Sequence, residues 1–164
     1  MVGEVPILSG LVAWRHPTAE TAEDHQTSKP VLLMPRYMLD TDTVSFALRG
    51  QGRAASRLLE HRPSELCISS ITLAELRFGA EAKRSRKLHA LIDTFADAVD
   101  VAPFDQAAAD RFAAVATSLA RRGQPIGTFD TLMAAQALAL KVTFVTNNLK
   151  HFERVVGLKT ESWV

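Results

Sequence analysis

Residues 37–50 read YMLDTDTVSFALRG: a short apolar run, Tyr37 to Leu39, then Asp40 and Asp42, then apolar residues at helical spacing. The run predicts a strand and the spacing a helix that starts at once. In a parallel sheet ligands sit outside the carboxyl ends of the strands, which is where this reading puts Asp40. A carboxylate there caps the helix, attacks a substrate or holds a metal ion. The stretch leaves these open, and the rest of the chain has to choose.

Downstream the pattern keeps alternating. Thr43 is a candidate cap for the first helix, and Arg53 to His61 forms a second helical piece stopped by Pro63. ELCISS (65–70) reads as a central strand, and TLAELRFGAEA (72–82) as a helix with Leu73, Leu76 and Ala80 on one face. LHALIDTFADAV (88–99) repeats the helical period with Leu88, Leu91, Ile92 and Phe95. DVAPF (100–104) is a brief strand, and the helix that follows is capped by Asp105 and stopped at Gly123. TFDTLMAAQALAL (128–140) is a helix, VTFVT (142–146) a strand and KTESWV (159–164) a last edge strand. Strands alternating with helices predict a parallel sheet covered on both faces.

The chain has 164 residues, 47% hydrophobic and 23% charged, in the range of one soluble globular domain. Net charge is +1, so attraction to phosphate has to come from local patches. The lone cysteine, Cys67, lies in the apolar LCIS and has no internal disulfide partner, which fits a small core residue in a cytoplasmic protein. No apolar run is long enough to span a membrane. Residues 1–36 differ from the rest. VPILSGLVAW is broken by Pro6 and Gly10, and RHPTAETAEDHQTSKP has neither period. The expectation is a poorly structured extension over 1–36, a folded domain over 37–164, and a functional start at Met34 or Met38.

Four polar positions share one address in such a sheet. Asp40 ends the first strand, and Glu75 opens the helix after the second. Asp130 opens the helix at 128–140, and Asn147 and Asn148 follow VTFVT. Each has a structural reading: Thr72-x-x-Glu75 is a capping box, Asp130 suits a helix dipole, Asp40 and Asp42 suit caps, the asparagines suit a turn. Together they ask for more. Two carboxylates about 4 Å apart repel by roughly 4 kcal/mol at an effective dielectric near 20. Three acids at one mouth need protons or cations, and carboxylates with an amide oxygen suit Mg²⁺ or Mn²⁺. No cysteine or histidine pair has zinc-like spacing. An oxygen-ligated Mg²⁺ site points to phosphate chemistry.

LDTD at the first strand, SSITLAELRFG, PIGTFDTLMAAQAL and VTNNLKHFERVVGLKTESW together resemble the PIN-domain ribonucleases of the VapC toxin type, in that family's order and spacing. The resemblance implies an α/β/α fold with a central, mainly parallel sheet of four to five short strands. It implies a homodimer, Mg²⁺- or Mn²⁺-dependent cleavage of RNA to 5′-phosphate and 3′-hydroxyl ends, and inhibition by a VapB-type antitoxin. Transfer RNA is the implied substrate class. Asp40, Glu75 and Asp130 fall on the family's acids, as metal ligands and catalytic groups. Asn148 falls on a fourth polar position where many relatives have aspartate. Asp42, where asparagine is more usual, and Thr146 are expected behind these groups, orienting them or a bound water.

The same Asp40-x-Asp42 also fits the opening of haloacid-dehalogenase-type phosphatases. That reading lacks a later acidic pair, since VTFVT leads to Asn147-Asn148, and it leaves Glu75 and Asp130 unused. A non-catalytic PIN-like module that binds RNA or protein is the other alternative. For RNA contact the candidates are Lys83, Arg84, Arg86 and Lys87, ahead of the stripe Arg49, Arg53, Arg57 and His61 and of Arg121 and Arg122. The aromatics show no stacking pattern, and most of the eight phenylalanines read as core, as does Trp163. The apolar faces around Phe46, Leu58 and Leu59 and around Leu73, Leu76 and Phe78 read either as core or as docking surfaces for a partner.

Overall fold

In the computed structural model, which describes residues 6–15 and 34–164, neighbouring strand residues are buried in pairs: Met38 with Leu39, Cys67 with Ile68, Phe144 with Val145. Successive strand side chains point to opposite faces, so a strand buried at every position needs a layer on each side. The strands are β1 (Tyr37–Leu39), β2 (Leu66–Ser69), β3 (Asp100–Ala102), β4 (Thr143–Val145) and β5 (Thr160–Glu161). They form one sheet in the order β3-β2-β1-β4-β5, with every pairing parallel. The three-layer α/β/α fold expected from the sequence is the fold observed.

Register sorts the core. Met38 stands opposite Cys67 and Phe144, and Leu39 opposite Ile68 and Val145. The Met38 face is covered by α6 (Gln106–Arg121) and α7 (Thr128–Leu140), through Val115, Leu119, Met133 and Ala134. The Leu39 face is covered by α2 (Thr41–Leu48), α3 (Ala54–Leu59), α4 (Ser70–Ala82) and α5 (Arg86–Ala98), through Val44, Leu58, Leu76 and Phe95. A short α8 (Leu149–Phe152) lays Phe152 against Phe144, ring centres 4.7 Å apart. From β1 the chain builds outward to β3, then returns to add β4 on the other side. The order therefore reverses between β1 and β4, the place where open α/β sheets form a ligand crevice.

Two helix starts choose between alternatives that the sequence left open. Asp40, not Thr43, caps α2: its Oδ1 accepts from the Thr41 amide at 2.7 Å. Thr43 is buried one turn on, its hydroxyl donating to the Val145 carbonyl at 3.1 Å. Ser69 caps α4 by accepting from the Ile71 amide at 3.0 Å, so Thr72 and Glu75 form no capping box. The helix begins three residues earlier, which buries Thr72 with its hydroxyl on Met133 Sδ and leaves Glu75 for other partners. Asp105 caps α6 through the Ala108 amide, as its position predicts.

Within the extension, where the sequence suggests little structure, Pro6–Arg15 forms a helix, α1. Pro6 stands at its first position, where proline's fixed φ and missing N–H do no harm. Tertiary contact completes the explanation, since α1 packs on α3 and α5 with Leu11 fully buried. Residues 16–33, with most of the expected disordered tail, lie outside the described residues, as do residues 1–5. No described helix is long and apolar enough to cross a membrane.

Gln136 ties the sheet to α7 from inside. It is 1% exposed, accepts from the Ser69 hydroxyl at 2.6 Å, and donates to the Ala102 and Pro103 carbonyls at 3.0 Å. Gln136→Leu removes the acceptor for the buried Ser69 hydroxyl proton and the side-chain donor to the buried Ala102 carbonyl and to the Pro103 carbonyl, and is expected to lower stability by about 2–4 kcal/mol. Urea denaturation should show a lower midpoint with an unchanged slope.

Candidate active site

Asp40 leaves the end of β1 at the β1/β4 junction and is only 5% exposed. Its two oxygens are held separately. Oδ1 accepts from the Thr41 amide and Oδ2 from the Thr146 hydroxyl, each at 2.7 Å. Thr146 is fully buried just past β4, and its Oγ1 also accepts from the Asn148 amide at 3.1 Å. Thr41 reaches the other way, its hydroxyl donating to Glu75 Oε2 on α4. One threonine thus joins Asp40 to Glu75, and another joins Asp40 to the turn carrying Asn148.

Asp130 lies in the first turn of α7, which the chain enters through Gly127 at φ 97°, a conformation that disfavours residues with a Cβ. Its Oδ2 lies 3.5 Å from His151 Nδ1 on α8. Asp42, exposed in the first turn of α2, adds a further negative charge.

The electrostatics tie these acids together. Burial is the main cause that pushes the Asp40 carboxyl up to about 7, and the charges of Asp42 and Asp130 raise it further. The bonds from Thr146 and Thr41 favour the ionised form but do not offset burial. Asp130 is raised too, first by burial and then by Asp42, with His151 acting in the opposite direction. The mouth is short of positive charge.

Its donor set is oxygen-rich, which suits a hard divalent cation. Among the described residues, no three of His, Cys, Asp and Glu converge into a ready-made ligand cage. A cation would therefore be held by the acids with water completing its shell, the habit of Mg²⁺.

The structure brings Asp40, Thr146, Asn148, Glu75, Asp42 and Asp130 to one sheet edge, and it adds two residues. Thr41 reads in sequence as an ordinary helix start, and only its bridge to Glu75 gives it a role. His151, in HFER, is a single histidine with no spacing signal. Lys83 lines a small pocket with Thr41 and Glu75, and Arg84, Arg86 and Lys87 are exposed beyond it. Arg49 lines the same pocket, whereas Arg57 is engaged by Glu60 and Glu161, both at 2.9 Å. His61 stacks on Trp163, ring centres 4.8 Å apart and 9° from parallel. Those two leave the predicted RNA stripe.

Two phenylalanines are not core. Phe78 is 74% and Phe129 57% exposed, and both line a cleft of about 760 Å³ with Thr41, Ser70, Ala74 and Glu75. Their helical periods resemble those of core residues, so only the packing separates them.

A parallel sheet that reverses between β1 and β4, with acids gathered at that point, defines an α/β/α domain with an acidic site at its switch point, and comparison with known proteins gives its family. Residues 37–158 match the PIN domain. The chain is 37% identical over 131 residues to the tRNA(fMet)-specific endonuclease VapC of Shigella flexneri, covering 79% of this chain and 99% of that protein. It is 33% identical over 132 residues to ribonuclease VapC2 of Haemophilus influenzae, covering 80% of this chain and 100% of that protein. Among solved structures, DNA-bound VapBC from Salmonella typhimurium matches at a TM-score of 0.75 and 35% identity, over 80% of this chain and all of that one. The chain belongs to the PIN-domain family, among its VapC-type ribonucleases.

A carboxyl at about 7 in the fold and 3.8 ordinarily takes up a proton on folding between those pH values. In chelator-treated protein, stability should therefore fall as pH rises from about 4 through about 7, by about 4 kcal/mol for Asp40 alone. Asp40→Asn removes that slope. Urea melts at pH 5 and pH 8 with EDTA should show the variant gaining on wild type at pH 8, with the gap closing at pH 5.

Proposed function

We propose that this protein is a divalent-metal-dependent endoribonuclease, the toxin of a toxin–antitoxin pair, acting on a structured RNA such as transfer RNA. The observation that carries the reading is Asp40: a nearly buried carboxylate at the sheet's switch point, charged only against the pull of its surroundings, with Asp130 and Asp42 nearby. Such a group asks for a cation. Asp40 and Asp130 would hold Mg²⁺ or Mn²⁺, with Glu75 as a further ligand. The ion would supply positive charge to a phosphate and to an attacking water.

The chain's own residues do the positioning. Thr41 fixes Asp40 and Glu75 relative to each other, and Thr146 fixes the far oxygen of Asp40. If Glu75 is not a ligand, its carboxylate is the group placed to accept a proton from the water. His151 holds Asp130 in place, and Asn148 stands beside Thr146 to orient water or a phosphate oxygen. Lys83, Arg84, Arg86 and Lys87 draw the RNA backbone towards this acidic edge. Phe78 and Phe129 offer exposed rings in the cleft beside Glu75, on which an unstacked base can rest.

By the same reading the protein pairs with a VapB-type antitoxin and forms a homodimer. The relatives' solved complexes support the antitoxin, and the homodimer rests on the family resemblance.

Purified protein incubated with total RNA and Mg²⁺ or Mn²⁺ should give discrete fragments. EDTA, Asp40→Ala and Asp130→Ala should each reduce cleavage by about 100-fold or more. Thr41→Val, which releases Glu75, should reduce it about 10- to 100-fold. Intact RNA from folded, metal-loaded wild type would favour the binding-module alternative. Release of phosphate from a generic phosphomonoester would favour the phosphatase.

A further inference from the structure

His151 links two of the acids at the mouth of the site. Thr146 donates to Asp40 Oδ2 and accepts from the Asn148 amide. Asn148 stands immediately before α8 and His151 three positions on, so the two share one side of a single helical turn. From that turn the His151 Nδ1 comes to 3.5 Å from Asp130 Oδ2, at the start of α7. Asp40, Thr146, Asn148, His151 and Asp130 thus form one connected path, as Thr41 connects Asp40 to Glu75.

The backbone of His151 is fixed while its ring stays accessible. Phe152, the next residue, is buried and packs on Phe144, and the His151 amide donates to the Asn148 carbonyl at 3.1 Å. The His151 side chain is 41% exposed and that of Asp130 31%, so an ion arriving from water reaches both. Among the described histidines the position is distinctive. His61 is stacked on Trp163 and His89 pairs with Glu81 at 3.3 Å, whereas His151 adjoins an acid of the mouth.

The separation itself is informative. An N–H···O hydrogen bond is ordinarily about 2.7–3.2 Å long, and this pair is wider. Two donor atoms on one divalent ion, each about 2.1 Å from it and about 90–110° apart, stand roughly 3–3.5 Å from each other. Nδ1 and Oδ2 are therefore spaced better for sharing a cation than for bonding directly.

Resting on the metal-dependent reading above, we propose that His151 is a nitrogen ligand, together with Asp130, of the divalent ion at this mouth. The mixed donor set biases the site towards Mn²⁺ over Mg²⁺. Mg²⁺ keeps to oxygen ligands and water, whereas imidazole suits first-row transition ions, among which Mn²⁺ also takes carboxylates and water. No third His, Cys, Asp or Glu converges with this pair among the described residues, so water completes the shell, with Asp40 directly or through water.

The test uses the full, untagged chain with one equivalent of Mn²⁺ and reads the metal, not RNA cleavage. Electron spin-echo spectroscopy of wild type should show a directly coordinated nitrogen, and His151→Gln should lose it. By calorimetry wild type should bind Mn²⁺ at least about tenfold more tightly than Mg²⁺. His151→Gln should weaken Mn²⁺ by about tenfold or more and Mg²⁺ by less than about threefold. His151→Asp, which offers oxygen in place of nitrogen, should bind Mg²⁺ at least as well as wild type and show no coordinated nitrogen. A histidine that served only to hold the fold would not give that gain. Bound Mn²⁺ without a coordinated nitrogen in wild type, or a nitrogen signal that survives in His151→Gln, would overturn the proposal and leave the nuclease reading standing. Absence of Mn²⁺ binding by folded wild type would overturn both.

Discussion

The carboxylate of Asp40 is buried where the sheet reverses direction, and much of the site is organised around holding it there. A carboxylate out of water is unfavourable unless it is hydrogen-bonded and balanced by charge. The first requirement is met from the chain: the Thr41 amide and the Thr146 hydroxyl take one oxygen each. The second is not, since the nearby charges of Asp42 and Asp130 share its sign. The same feature leaves the site with uncompensated negative charge.

The opposite end of β1 is built by other means. Tyr37, His61 and Trp163 form an aromatic cluster there, with Tyr37 and His61 centres 4.8 Å apart and His61 stacked on Trp163. Arg57 lies over the Trp163 ring at 5.6 Å, and the Trp163 indole donates to Glu161 Oε1 at 2.9 Å. This packing anchors the central strand at its amino end and leaves the carboxyl end free for charged groups. It also explains why Arg57 and His61, basic in sequence, contribute to stability and not to an RNA surface. The division between a stabilising end and a reactive end follows from parallel strands, which bring every strand end of one kind to the same edge.

The acids of the site were legible because chemistry and spacing coincide in them. Asp40, Glu75, Asp130 and Asn148 each follow or open an element at a strand's carboxyl end, so a correct order of strands and helices was enough to bring them to one edge. Thr41 and His151 were not legible. A threonine at a helix start and a single histidine in a short helix have many ordinary uses, and only the cross-chain contacts to Glu75 and Asp130 single them out. Phe129 escaped for the converse reason, and Phe78 stayed open between core and a docking face. Helical period shows which face a residue shares, but not whether another layer covers that face.

The sequence by itself determined the alternation of elements, the burial of both sheet faces and which acids are candidates for one edge, because these depend on local period and residue type. The tertiary structure decided where α4 begins, which threonines hold the carboxylates, which cations remain available and that Pro6–Arg15 is a helix at all. Those outcomes depend on partners distant in the chain. Ser69 displaced the Thr72–Glu75 box by capping α4 earlier, and α1 is seated on α3 and α5. Local propensity is a weak prior that such contacts override, and no pattern within ten residues of Leu11 shows the groove that receives it.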